Sequence, residues 1–162
     1  MFYLADFTFA RSRRSELHTL REVSLRETHA ALRHELPSLR QAAYAAALIE
    51  QTTERETPLP EIFELLRSFL GELSARPAGA QNVFAFELKL LNELGLTPDL
   101  EKSRLTPGAR QIVNVLAAGD WPAVSRLKPS ASQQAELRQF LHGFLIFHLG
   151  KIPESRHPAI GA

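Results

Sequence analysis

The sequence predicts a mainly α-helical protein: a bundle of about six or seven helices preceded by one N-terminal β-hairpin. Three observations predict it. Residues 2–25 alternate in a period of two, from Ser24 the apolar residues fall at helical spacing, and prolines and glycines mark the breaks. With 162 residues, 44% apolar and 23% charged, the chain can bury a core without staples.

The hairpin rests on Tyr3, Ala5, Phe7 and Phe9, then on Leu17, Thr19, Arg21 and Val23, with Arg11-Ser12-Arg13-Arg14-Ser15 as the polar loop between them. Two strands alone are marginal in water, so the hairpin must lean on helices or once belonged to a larger sheet. Ser24 and Glu27 fit a capping box, predicting a short helix to about Leu36 with Leu25, His29, Leu32 and Leu36 on one face. A second helix runs from about Pro37 to Glu54, because proline is tolerated in a first turn.

Thr57-Pro58-Leu59-Pro60 breaks the chain, and Ile62, Phe63, Leu66, Phe69, Leu70 and Leu73 make the next apolar stripe. Phe84, Leu88, Leu91 and Leu94 mark a helix stopped by Gly95 and Pro98. Thr106-Pro107 opens another as cap and first position, and Asp120-Trp121-Pro122 caps a short one. The last helix starts near Ser130 or Ser132 and ends at Gly150. Its second half is apolar nearly all round, which predicts a place near the centre of the bundle. The expected divisions are hairpin 1–23, helical domain 24–152 and a flexible tail 153–162.

Composition narrows the function. With no cysteine, disulfides and thiolate metal sites are excluded. There is no pattern of a signal peptide and no apolar run long enough to span a bilayer, so a soluble cytoplasmic protein is expected. No HExxH spacing, phosphate-cradling glycine loop or nucleophile elbow occurs, and the six histidines are scattered. Glu54, Glu56, Glu61 and Glu64 cluster near a helix start, where carboxylates favour the dipole. No enzyme, metal or cofactor is expected.

Charge is uneven although the formal net is +1. Residues 1–40 hold seven basic and five acidic groups, residues 41–100 four and nine, and residues 121–162 five and two. Arg11, Arg13 and Arg14 crowd the hairpin loop, with Arg21 on the next strand and the aromatics Tyr3, Phe7 and Phe9 adjoining. Cations beside stackable rings suit single-stranded nucleic acid; a solvated turn with core-facing aromatics is the alternative. Arg26, Arg33 and Arg40 recur every seven residues and would form a stripe on a continuous helix, which a break at Pro37 would divide.

Several stretches together resemble the bacterial recombination mediator and DNA repair protein family RecO. They are Leu17-His18-Thr19-Leu20-Arg21-Glu22-Val23-Ser24-Leu25, Leu32-Arg33-His34-Glu35-Leu36 with Ala43-Tyr44 and Leu48-Ile49-Glu50, the segment from Phe84 to Pro98, and the segment from Phe140 to Lys151 with Ser155-Arg156. The resemblance implies that the hairpin is what remains of an OB barrel, of which only the last two strands precede the helices. It also implies that the zinc insertion of the family is absent, since Pro98 to Leu105 passes to the next helix without a cysteine.

By that resemblance the chain is expected to bind single-stranded DNA in the RecF pathway, in recombinase loading and strand annealing. Its implied partners are a RecR-like protein and the acidic tail of single-strand-binding protein. Arg11, Arg13, Arg14, Arg21, Arg33 and Arg40 are the expected phosphate contacts. The alternative is a helical protein–protein interaction module that has lost DNA binding.

Overall fold

The computed structural model describes residues 2–15 and 17–161. Met1, Glu16 and Ala162, which fall within the expected hairpin and tail, lie outside the described residues. Two strands, β1 (Leu4–Ala10) and β2 (Thr19–Glu27), pair antiparallel. A 3-10 turn over Ala30–Arg33 leads to seven helices: α1 (Leu36–Thr52), α2 (Pro60–Ala75), α3 (Ala80–Glu93), α4 (Pro107–Ala118), α5 (Trp121–Arg126), α6 (Ala131–Leu149) and α7 (Arg156–Ile160).

The expected hairpin is present, and β2 is longer than its alternation suggests. Ser24 pairs with Asp6 and Glu27 with Leu4, so neither belongs to a capping box and no helix begins there. A cap contributes about 1 kcal/mol, and the ladder that β1 offers these residues overrides it. His29, held at φ 44°, then reverses the chain. Its ring is buried, with Nδ1 3.2 Å from Oε1 of Glu27.

The helical punctuation follows residue chemistry closely. The hydroxyl of Thr106 accepts from the amide of Ala109, the Asp120 carboxylate from that of Ala123, and Ser130 and Gln133 form a reciprocal capping box. At the end of α3, Gly95 (φ +73°) lets its amide donate to Asn92 and that of Leu96 to Leu91. That Schellman arrangement requires the left-handed region glycine reaches without strain.

The centre of the bundle is α3, not α6. From Asn82 to Leu88 every α3 residue is buried, and α1, α2, α4, α5, α6 and α7 all pack on it. Over its whole length α6 buries only the stripe Leu137, Leu141 and Leu145, the last two in its apolar second half, while Phe147 is 82% exposed. Its nearly all-round apolar character therefore overstated its burial. Neighbours cover one side, and the outward rings form groove walls instead.

The expected loose tail is also corrected. Residues 156–160 form α7, with Arg156, Ala159 and Ile160 buried. The amide of Gln41 donates to the carbonyls of Ala159 (3.0 Å) and Gly79 (2.9 Å), tying α1, α7 and the start of α3 together. No described helix is long and apolar enough to cross a membrane.

Candidate nucleic-acid interface

The strand register determines what the hairpin presents. Two shifts leave Arg21 and Arg26 as the extra residues of β2. The shift at Arg21 brings Leu20 opposite Phe9, so Phe7, Phe9, Leu20, Val23 and Leu25 share one face. Asp6, Thr8, Glu22 and Ser24 lie on the other, where Asp6 pairs with Arg26. Phe9 stacks on His18, centroids 5.5 Å apart and planes 2° from parallel.

Arg11, Arg13 and Arg14 all lie exposed on the loop between the strands. Arg11 stands 3.7 Å from Glu56, an exposed pair that water and salt screen. Among the described residues no carboxylate pairs with Arg13, Arg14 or Arg21. The amide of Arg14 donates to the Ser12 hydroxyl at 3.2 Å, which shapes the turn that carries the guanidinium groups.

The remaining expected contacts lie elsewhere. Arg33 caps the other end of the hairpin, its guanidinium 5.1 Å above the Tyr3 ring and donating to the Thr28 carbonyl. The seven-residue β1 separates it from the loop by roughly 20 Å. Arg40 is exposed on α1. The seven-residue stripe does not exist: Arg26 lies in β2, Arg33 in the 3-10 turn and Arg40 in α1, three elements with different axes.

Two grooves flank α6. One, of about 650 Å³, lies between α6 and α7; Ala131, Ala135, Ile152 and Ile160 give it an apolar floor, and Arg138, His142 and His157 a basic rim, with Glu154 as the acid. Arg138 is oriented by its bond to the Gly161 carbonyl (3.0 Å). The other, of about 570 Å³, is lined by Phe140, Phe144, Phe147, His148 and Arg104.

The wall that α7 provides is anchored in the core, and sequence reasoning missed the anchor. Glu87 is fully buried, accepting from Nε (2.6 Å) and Nη2 (3.0 Å) of Arg156 and from the Tyr44 hydroxyl (2.7 Å). Burial, then the adjacent Glu87 carboxylate, push the Tyr44 phenol far above its ordinary range. Burial pulls the Arg156 guanidinium down, but its bond to Glu87, the Glu87 charge and Tyr44 together outweigh this and the net shift is upward. The available signal was a lone carboxylate inside the apolar run of α3, which demands a buried partner. Among the described residues no group of three or more His, Cys, Asp or Glu could hold a metal ion.

A helical bundle led by a two-stranded hairpin with a basic loop, and with two grooves beside α6, defines the class: a mainly helical domain that carries a β-hairpin at its start. Residues 33–103 match the family described as "Recombination protein O C terminal". The chain is 30% identical to the DNA repair protein RecO of Anaeromyxobacter sp. (strain K), over 85% of this chain and 67% of that protein. It is 39% identical to that of Myxococcus xanthus over 49% of this chain and 32% of the relative, and 38% identical to that of Pelobacter propionicus over 52% and 35%. The chain belongs to the RecO family of DNA repair proteins. It matches about a third of the length of the Myxococcus and Pelobacter relatives.

Proposed function

We propose that this chain is a DNA repair and recombination accessory protein that holds single-stranded DNA on its hairpin and protein partners on its helical domain. One observation carries the reading: Arg11, Arg13 and Arg14 extend from one loop where, among the described residues, Arg11 alone of the three pairs with a carboxylate, the exposed Glu56, beside the exposed rings of Phe7 and Phe9. Guanidinium groups capture phosphates, and rings accept unstacked bases of any sequence. The job is capture and positioning in the RecF pathway, in recombinase loading and strand annealing, in the cytoplasm and with no covalent chemistry. Arg21 continues the basic surface, with Arg33 and Arg40 as outer contributors. Fluorescence anisotropy with a labelled single-stranded oligonucleotide at low salt tests it. Replacing Arg11, Arg13 and Arg14 by Ala should weaken binding at least tenfold; no binding by the parent chain contradicts the reading.

The partners are a RecR-like protein and the acidic, apolar tail of single-strand-binding protein. The groove between α6 and α7 suits the tail: apolar side chains reach its floor while carboxylates meet Arg138, His142 and His157. A labelled tail peptide should bind the parent chain and lose most of its affinity to Arg138→Glu. Equal affinity for both contradicts this placement.

A second reading, an interaction module without DNA binding, is favoured by the uncovered apolar face of the hairpin. Sedimentation with a single-stranded oligonucleotide separates the two, because a module without DNA binding leaves the oligonucleotide at its free sedimentation rate.

A further inference from the structure

The groove lined by Arg104 and the α6 rings has no part in the tail site beside α7. Its wall is a cluster of rings. Phe140 and Phe144 lie 6.1 Å apart by centroid, His148 stands 4.3 Å from Phe144, and Phe147 meets His148 edge-on at 4.9 Å. Gly143 opens the floor. It lies inside α6, where glycine is less favourable than alanine. A Cβ there would meet no atom within 4 Å beyond the helix backbone and its chain neighbours. No contact of the fold therefore requires this glycine, and what its missing side chain provides is room in the groove.

The two grooves are continuous and alike. Gln139 lines both. At 3.6 residues per turn, Ala135, Arg138 and His142 share one face of α6 and Phe140, Gly143 and Phe147 the adjoining one, with Gln139 between them. Leu137, Leu141 and Leu145 turn the other way, into the core. Each groove has an apolar floor and an arginine on its rim: Arg138 beside α7, and Arg104 beside the rings. Arg104 is exposed, and among the described residues no carboxylate pairs with it. The acid of that groove, Glu136, is engaged by the amide and hydroxyl of Thr106. A guanidinium is left for a partner's carboxylate.

We propose that the ring-lined groove is a second subsite for the same partner: one extended acidic and apolar segment crosses α6 at Gln139, with its end beside α7 and its preceding residues on the rings. The inference rests on the placement of an acidic tail beside α7 and extends it. A tail ends at its C-terminus, so only residues N-terminal to it reach the second groove. Ala131 to His148 is about 26 Å of helix, which an extended chain at ~3.3 Å per residue spans with about eight residues. Apolar side chains of that stretch pack on Phe144 and Phe147 over Gly143, and a carboxylate meets Arg104.

Fluorescence anisotropy of the full chain with two tail peptides, of about five and about twelve residues, tests it, the longer one extended at its N-terminal side with apolar and acidic residues. The parent chain should bind the longer about tenfold more tightly. Gly143→Leu fills the floor from a point with no atom of the fold within 4 Å of its Cβ. It should abolish that gain and leave the shorter peptide's affinity unchanged. Because the chain has no cysteine, Gly143→Cys places a single thiol in the groove. Its alkylation should be slowed by the longer peptide and not by the shorter. Equal affinity for the two peptides, a gain that survives Gly143→Leu, or alkylation at one rate with either peptide overturns the proposal. The placement beside α7 fails by a different result, the shorter peptide binding Arg138→Glu as it binds the parent chain.

Discussion

Glu87 is the residue on which the C-terminal part of the fold depends. A fully buried carboxylate survives only with partners, and Arg156 and Tyr44 supply three bonds to it. Removing one member of a buried pair leaves an uncompensated charge and costs about 3–5 kcal/mol. Arg156→Ala should lower unfolding free energy by that amount in urea, and the double variant Glu87→Leu with Arg156→Met should recover most of it. Tyr44 adds a pH dependence. Its native proton is held more tightly than in the unfolded chain, whose phenol titrates near 10.0. This contribution is therefore complete below pH 10.0 and lost as pH rises above it. Tyr44→Phe should flatten the alkaline fall in stability; an unchanged profile contradicts the assignment.

Among the elements, α7 is the one whose stability decides a surface. It is one wall of the groove beside α6 and is held by Arg156 and by the Gln41 bonds to Ala159 and Gly79. Amide exchange in residues 156–160 should be slow in the parent chain and near the unfolded rate in Arg156→Ala, with α3 still protected. Uniform loss across both elements would mean that the latch is part of global folding. Most elements were legible from residue chemistry: the hairpin from its alternation, and α3, α4, α5 and α6 from their caps and stops. The failures have local causes. Ser24 and Glu27 spell a helix start, but β1 was available to pair with them. Residues 153–162 look loose by position, and the docking of α7 within them depends on Glu87, some seventy residues earlier in the chain. The apolar girth of α6 does not say how many neighbours will cover it.

For the whole molecule, charge is the property that bears most directly on function. The sequence puts basic groups at both ends and acids in the middle, and folding concentrates the loop arginines at the tip of the hairpin. Arg11, Arg13 and Arg14 were legible as a group because they are neighbours in sequence. Arg33 and Arg40 were not, because their association depended on a helix that strand pairing and the 3-10 turn replace. The salt dependence of oligonucleotide binding tests the strand-holding role most directly. Three phosphate contacts give a slope of log affinity against log salt of about −2 for single strands. The variant with alanine at positions 11, 13 and 14 should lose that much of the parent chain's slope and keep only what Arg21, Arg33 and Arg40 contribute. Equal slopes in the two proteins would place the phosphate contacts elsewhere and contradict the account.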